Sequence, residues 1–246
     1  ITGAGSASTI IDGNALDRVF NVLNNSTATI TDLTIRNGSV SQGAGVQIIA
    51  GSTVNLTGVV LSGNTATAKG GAIQNLGTLT LTDVRLTGNA SGNRGGGLDS
   101  SGTTTATRVT IDGNSAQFGG GIYVGGGTLT LTNVTVSGNV TTTQSGGGIY
   151  AAAGAVTMTN STVTENMALL GGGGIFAGGG SVTLKNTLLA GNSAFIAPDY
   201  SGSVTSAGNN LIGNTSGSAG WVGSDLKNVA SLLDSVLKNN GGLTPT

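Results

Sequence analysis

The sequence predicts an all-β fold, a right-handed, single-stranded parallel β-helix with about 25 residues in each coil. Three observations predict it. A Gly-Asn or similar step recurs every 25 to 27 residues, short runs alternate threonine with an apolar residue, and a glycine cluster precedes an apolar residue in each copy. A solenoid of helical hairpins would need about 33 residues for each repeat, and it would avoid so many glycines.

One coil shows how the elements follow each other. The run Thr78–Thr82 alternates threonine with leucine, which predicts a strand with one buried face. Val84 and Leu86 alternate again, but the phase breaks at Asp83, which predicts a corner. A second corner falls at the Gly-Asn pair, and a third strand behind the glycine cluster carries Leu98. Three strands and three corners therefore make one coil.

Equivalent residues of successive coils are expected to stack in columns, because each strand pairs with its counterpart one coil away. The first corner column consists mainly of residues that tolerate left-handed backbone conformations. Its members are Asp32, Gly58, Asp83, Arg108, Asn133, Asn160 and Asn186. The predicted inward columns are Val54, Leu79, Thr104, Leu129, Val156 and Val182; Val59, Val84, Val109, Val134, Ser161 and Thr187; Leu61, Leu86, Ile111, Val136, Val163 and Leu189. The third strand adds Ile73, Leu98, Ile122, Ile149 and Ile175.

We divide the chain into a β-helix over residues 1–223 and a C-terminal cap segment over residues 224–246. Within the β-helix, residues 1–52 form irregular N-terminal coils, 53–202 the regular coils and 203–223 a distorted last coil. Apolar residues from Leu226 to Leu237 recur at helical spacing, which favours a capping helix from Ser224 to Asn240. The alternative is a loop that its leucines pack against the last coil.

Composition excludes several classes of function. The 246 residues include 46 glycines and no histidine or cysteine, so disulfides, the usual zinc sites and a histidine general base are excluded. We expect no cofactor. The net charge of −1 and the lack of a basic stripe argue against a nucleic-acid partner. No apolar run approaches 18 residues, so the sequence predicts no transmembrane segment.

The glycine clusters and the runs before them carry a family resemblance. GGAI at Gly70, GGGL at Gly95 and GGGI at Gly119, together with the run TLTLTNVTVSGN, resemble bacterial right-handed β-helix surface proteins such as the polymorphic outer-membrane proteins. The Phe-x-x-Asn element of that group is absent. The ending, NNLIG followed by NNGGLTPT, resembles secreted bacterial proteins that carry a variable cell-surface anchor. The resemblance implies an extracellular or cell-surface, adhesin-like protein.

Two outward or corner features are candidates for binding. The asparagines that mark the period are either a ligand-binding ridge or, in the interpretation we favour, an internal amide ladder that satisfies backbone groups. The ladder consists of Asn64, Asn89, Asn114, Asn139, Asn166 and Asn192. Outward threonines would form a flat grid that is suited to a polysaccharide or ice, or that is simply a solvent-facing strand surface. The grid consists of Thr78, Thr80, Thr82, Thr103, Thr105, Thr107, Thr128, Thr130 and Thr132.

An aromatic column is the third candidate. Tyr123, Tyr150 and Phe176 follow the inward isoleucine in consecutive coils, where Gln74 and Asp99 stand in the earlier coils. Such a column either offers a stacking platform for sugar rings or consists of rings that stack on each other and cover a face.

Catalysis would need paired acids, and the register supplies none. Glycoside hydrolysis requires two carboxylates about 5 to 9.5 Å apart. Asp83 falls beside Arg108, which predicts an ion pair between coils, and Asp112 follows Thr87 with no acidic neighbour. We therefore favour a non-catalytic rod or adhesion module that binds glycans or other surface proteins and assembles into oligomers or fibres through its coil ends. The alternatives are a polysaccharide lyase or glycoside hydrolase of β-helix type, and an ice-binding protein that uses the threonine face.

Overall fold

The computed structural model describes residues 1–23 and 25–229 and confirms the predicted fold class. All strand pairings among these residues are parallel, and each strand pairs with its equivalents in the neighbouring coils. The result is a right-handed solenoid of about eight turns with coils of about 25 residues. At about 4.8 Å for each coil, the described part is a rod roughly 40 Å long.

Three long sheets line the solenoid. Sheet A comprises Thr27–Thr31, Thr53–Thr57, Thr78–Thr82, Thr103–Thr107, Thr128–Thr132, Ala155–Thr159, Ser181–Lys185 and Thr205–Ser206. Sheet B comprises Ile10–Asp12, Thr34–Arg36, Val60–Ser62, Arg85–Thr87, Thr110–Asp112, Thr135–Ser137, Thr162–Thr164, Leu188–Leu189, Leu211–Ile212 and Leu226–Lys227. Sheet C comprises Phe20–Val22, Val46–Ile48, Ile73–Asn75, Leu98–Ser100, Ile122–Val124, Ile149–Ala151, Ile175–Ala177, Tyr200–Ser203 and Ser218–Ala219.

A fourth, shorter sheet lies between the Gly-Asn corner and the glycine cluster, where the sequence suggested only a loop. Sheet D comprises Ser39–Gln42, Thr65–Lys69, Ala90–Ser91, Ser115–Ala116 and Val140–Thr141. Most of its strands have two residues, which is too short for a period of two to be visible in the sequence. In chain order each strand of sheet D lies between a strand of sheet B and a strand of sheet C.

The core consists of stacked aliphatic columns, as the sequence predicted. Every position of the three predicted inward columns, and of the isoleucine and leucine column of sheet C, is buried. The inward polar residues are satisfied internally. The Thr104 hydroxyl accepts a hydrogen bond from the Asn75 amide at 3.0 Å, and the Ser161 hydroxyl donates to the Thr159 carbonyl at 2.9 Å. Buried hydroxyls with partners avoid the desolvation cost of unpaired ones.

The corners adopt the left-handed backbone conformation that their residues predicted. All seven positions of the first corner column have φ between 51° and 63°. Arg108, the exception in composition, has φ 54° and forms a two-point ion pair with Asp83 of the preceding coil, with nitrogen–oxygen distances of 2.7 and 2.8 Å. Glu165 has φ 56° at the step where the other regular coils have glycine. This residue therefore bears backbone strain that its neighbours avoid.

The glycine clusters are required by close backbone approach. A Cβ atom on Gly96 would lie 2.5 Å from the Ser115 carbonyl oxygen and 2.4 Å from the Gly120 carbonyl oxygen. No side chain fits there without moving the backbone of the next coil. Gly95, one residue earlier, has φ 60° and turns the chain sharply before the Leu98–Ser100 strand.

The predicted cap segment begins differently from the expectation. Leu226–Lys227 is a strand that pairs with Leu211–Ile212, so sheet B continues where we expected the first turn of a helix. The backbone of Leu226 is fixed by a hydrogen bond from its N–H to the Asn210 carbonyl at 2.8 Å. The rest of the predicted helix, residues 230–240, lies outside the described residues.

Candidate functional site

The nine predicted threonines lie on the outer side of sheet A in three columns. Thr78, Thr103 and Thr128 pair directly, and the other two columns are aligned in the same way. Each column continues into neighbouring coils through threonines such as Thr53 and Thr157, with Asn55 as an interruption. The nearest spacings are about 6.8 Å along a strand and about 4.8 Å between coils.

The hydroxyls of this threonine grid have no internal role. None of the nine hydroxyl groups forms a hydrogen bond with another residue in the described part of the chain, and the central ones, on Thr105 and Thr130, are exposed. In contrast, the inward threonine of the same sheet, Thr104, bonds to Asn75. The grid thus presents donors and acceptors that only solvent or a ligand satisfies.

The three predicted aromatic residues form one column on the outer side of sheet C. The rings of Tyr123 and Tyr150 stack with centroids 5.4 Å apart, and those of Tyr150 and Phe176 stack at 5.0 Å. Phe118 contacts Tyr150 edge-on at 5.4 Å. Both faces of the central ring are therefore covered by protein, and burial raises the pKa of the Tyr150 phenol. The column presents mainly ring edges to solvent, which suits mutual stacking better than a platform for several sugars.

The same outward column is polar in the earlier coils. Gln47, Gln74 and Asp99 occupy the positions before Tyr123. The Gln47 side-chain amide donates to the Gln74 oxygen at 2.8 Å, and the Gln74 amide donates to the Gln42 side-chain oxygen at 2.8 Å. This chain of amides links Gln47, Gln74 and Gln42 and does not include Asp99.

Asp99 is a buried acid beside a partly exposed base. Its side chain is 1% exposed, that of Arg94 is 25% exposed, and the Arg94 Nε atom lies 3.2 Å from Asp99 Oδ2 without the alignment of a hydrogen bond. The Arg94 guanidinium carbon also lies 4.6 Å above the Tyr123 ring centre. Burial raises the pKa of Asp99 to about 6, although the positive charges of Arg94 and Lys69 act in the opposite direction. We call Lys69, Gln74, Arg94, Asp99 and Tyr123 the Asp99 site.

Sequence reasoning placed Asp99 in the aromatic column but did not identify this site. Arg94 is brought over Asp99 by the left-handed turn at Gly95, and isolated bridges align Arg94 with Lys69 and Phe118 of the neighbouring coils. A single signal was present in the sequence. Asp99 is the one acid in an outward column of glutamine and aromatic residues, and a base stands five positions before it.

The six asparagines form a buried column inside the second corner. Each one from Asn64 to Asn166 donates its backbone N–H and its side-chain amide to the Oδ1 atom of the next, at 2.9 to 3.0 Å. The last, Asn192, donates in the same way to Asp199 Oδ1 at 3.0 and 2.8 Å. Desolvation raises the pKa of Asp199. The geometry is that of an internal ladder, and no member is exposed to a ligand.

Several of the remaining acids have hydrogen-bond partners of their own. Asp112 accepts from Arg85 at two points and from Thr87, all at 2.8 Å, and Asp12 accepts from Arg36 at 2.7 Å. Among the described residues no two carboxylates share a side-chain partner, and no group of three acidic residues could hold a metal ion. No strand pairing in the described residues aligns two acids in neighbouring coils.

Comparisons with known proteins identify one family. The model described as "Right handed beta helix region" matches residues 18–210 and 97–243. No curated protein and no solved structure matches the chain. Residues 1–23 and 25–229 contain no helix that is long and apolar enough to cross a membrane.

Proposed function

We propose a non-catalytic binding role for this chain, from the premise that it belongs to the right-handed β-helix family. In this proposal the solenoid is a rigid spacer of a cell surface or of the extracellular space, and it attaches to glycans through the threonine grid. Members of this fold class include carbohydrate-active enzymes as well as non-catalytic proteins, so the role has to be argued from the residues of this chain.

One observation carries the proposal: the nine grid hydroxyls are free of internal hydrogen bonds and are held in fixed register by the sheet. The buried Thr104 has an internal partner, whereas the outward grid hydroxyls are left to solvent or a ligand. Hydroxyl and methyl groups that alternate at fixed spacing match the alternating hydroxyls and C–H faces of a polysaccharide chain. Each contact is weak, but many contacts on one rigid face add through a high effective concentration.

The charge pattern is consistent with an uncharged ligand. The nine grid residues are neutral, and the nearest charge in the grid columns, Lys185, lies two coils beyond Thr132. The best-defined exposed ion pair, between Asp83 and Arg108, lies at the corner next to the grid. Charge steering therefore contributes little, and we expect binding that depends weakly on salt.

The experiment measures how much of the protein is retained by suspended cellulose, chitin and peptidoglycan. The test variant replaces the hydroxyls of the central column by methyl groups in Thr80→Val, Thr105→Val and Thr130→Val together. Because the change conserves shape and β propensity, we expect the fold to persist and the bound fraction to fall about tenfold on the polysaccharide that retains the wild type.

The matched control carries Thr65→Val and Thr67→Val, two exposed threonines of sheet D outside the grid. It should bind like the wild type. Equal retention of wild type and grid variant, or no retention on any of the three solids, would show that the grid is not a glycan-binding surface.

Ice binding is a second candidate, and the regular spacing of the grid favours it. A lattice of threonines about 4.8 by 6.8 Å can order water in a repeating pattern. The same grid variant distinguishes the two functions. Thermal hysteresis and ice shaping in the wild type, both lost in the variant, would establish ice binding, and their absence in the wild type would exclude it.

The third candidate function is an enzyme of β-helix type. It would have to act without two acids aligned in neighbouring coils, because the described strand pairings supply no such pair. Turnover on a polysaccharide panel decides the question, since cleavage that disappears on replacing one carboxylate by its amide would overturn the non-catalytic proposal.

A further inference from the structure

Unsatisfied polar atoms are concentrated at one place in this protein. Among the described residues four buried side-chain atoms lack a hydrogen-bond partner, and three of them are Arg94 Nε, Asp99 Oδ1 and Asp99 Oδ2. The fourth, on Ser137, is isolated in sheet B. Buried polar atoms normally have hydrogen-bond partners. Arg94 and Asp99 form an ion pair at 3.2 Å, but none of these three atoms has an aligned hydrogen bond. The three atoms therefore point to a group that completes the Asp99 site.

The position of Arg94 indicates where such a group would sit. Its guanidinium lies 4.6 Å above the Tyr123 ring centre and its Nε atom 3.2 Å from the Asp99 carboxylate. The other face of Tyr123 is covered by Tyr150, so the Arg94 side is the free end of the aromatic stack. A quarter of the Arg94 side chain is exposed, whereas Asp99 is almost fully enclosed, so Arg94 is the group that can move away.

We propose that the Asp99 site is a saccharide-binding subsite closed by Arg94. When the guanidinium swings outward, a sugar ring takes its place against Tyr123, and two neighbouring hydroxyls donate hydrogen bonds to Asp99 Oδ1 and Oδ2. The apolar C–H face of the sugar packs on the free face of the tyrosine ring. Lys69, in the preceding coil, supplies donors for the outer hydroxyls.

The charges of the site select an uncharged ligand. A cation would meet two positive groups, Lys69 and Arg94, which already act on Asp99. An anion would have to approach a buried carboxylate, which repels it in a medium of low dielectric constant. A neutral, hydroxyl-rich molecule can donate to the carboxylate and accept from the amine at once. Two sources supply hydroxyl groups of this kind, a sugar and an ordered water molecule, and the experiment must separate them.

This site is independent of the threonine grid, because it lies on the outer side of sheet C rather than sheet A. Loss of glycan binding by the threonine grid therefore leaves sugar binding at the Asp99 site unchanged, and the reverse also holds. The grid variant with three Thr→Val changes should retain binding of small sugars at the Asp99 site.

The test is calorimetric or NMR titration of the full chain with the methyl glycosides of glucose, galactose and mannose. Arg94→Ala should strengthen binding about threefold or more, because it removes the group that occupies the site. Asp99→Asn should weaken binding about tenfold or more, because it replaces a charged acceptor by an amide. Tyr123→Leu leaves the acceptor intact and should weaken binding about three- to tenfold.

Arg108→Ala is the matched control, because Arg108 also pairs with an aspartate but lies at the first corner. Circular dichroism establishes that each variant is folded; should Asp99→Asn fail to fold, Tyr123→Leu decides the outcome. No saturable binding to the wild type and to Arg94→Ala would overturn the proposal. A crystal of Arg94→Ala soaked in the glycosides that holds water alone at Asp99 would overturn it as well.

Discussion

Replacing Asp99 by asparagine should stabilise the protein at neutral pH. Burial raises the pKa of this carboxyl from 3.8 to about 6, so the folded state binds the proton more tightly than the unfolded state does. Ionisation then weakens the fold. At about 1.4 kcal/mol for each tenfold change in proton affinity, the cost at pH 7.5 is about 3 kcal/mol. Asparagine has nearly the same shape and no charge, so Asp99→Asn should restore most of this lost unfolding free energy.

The pH dependence distinguishes this cause from a simple packing effect. The cost of the ionised carboxylate is fully present above pH 6 and disappears as the pH falls through about 6 toward 3.8. Urea unfolding of both proteins, followed by circular dichroism, should give a stability difference of about 3 kcal/mol at pH 7.5 and about 0.5 kcal/mol at pH 4.0. Comparing the two proteins at each pH cancels the titration of all other groups.

Asp83→Asn is the control, because it removes a carboxylate that is paired with Arg108 near the surface. This variant should lose up to about 1 kcal/mol at pH 7.5 rather than gain stability. If Asp99→Asn is no more stable than the wild type at pH 7.5, or if its advantage persists unchanged at pH 4.0, Arg94 and Lys69 compensate the buried charge of Asp99 fully.

Three further predictions use the same unfolding assay. Asn114→Ala removes the oxygen that accepts from Asn89 and the amide that donates to Leu86 and Asn139, so it should lower the unfolding free energy by at least about 3 kcal/mol. A loss below about 1 kcal/mol would contradict the structural role of the ladder. Glu165→Gly should stabilise by about 0.5–1 kcal/mol, because φ is 56° there; a destabilised variant would show that the Glu165 side chain stabilises the fold by more than the strain costs. Gly96→Ala should cost about 2–3 kcal/mol through overlap with the next coil, whereas Gly88→Ala, with open space around its Cβ, should cost about 1 kcal/mol through φ alone. Equal costs for these two glycines would contradict the close-approach argument.

The sequence was sufficient for the coil because its physical signals are local and repeated. Alternation in Thr78–Thr82 determines which side chains point inward, since a slip of one residue would reverse both faces of the strand. Residues such as Asp83 mark the first corner by their tolerance of positive φ. Arg108 shows the limit of that residue rule. It adopts the same conformation at the same place in the coil, directly after a strand that is in register with its neighbour.

Two parts of the fold could not be predicted, for opposite reasons. Strands such as Ala90–Ser91 are too short to show a period, so sheet D was not expected. Around Leu226 the apolar spacing favoured a helix, yet this residue pairs with Leu211 in sheet B. A preformed sheet edge offers backbone hydrogen bonds that a sequence pattern does not reveal.

The Asp99 site escaped prediction because its contacts depend on the path of the backbone. Arg94 and Asp99 are five residues apart across a left-handed turn, and the third partner, Tyr123, belongs to the next coil. Column reasoning finds residues that are equivalent in successive coils. It does not find a side chain that folds back from one column over another.

The direction of the asparagine ladder has a consequence for the size of the molecule. Every internal asparagine makes the same contacts. Its Oδ1 atom accepts two hydrogen bonds from the asparagine of the preceding coil, and its backbone N–H and side-chain amide donate two to the asparagine of the next coil. A duplicated or deleted coil would therefore meet the same neighbours on both sides, and the rod could lengthen or shorten in steps of about 4.8 Å without new chemistry. Only Asp199 has a fixed place, because a carboxylate can end such a relay but cannot continue it.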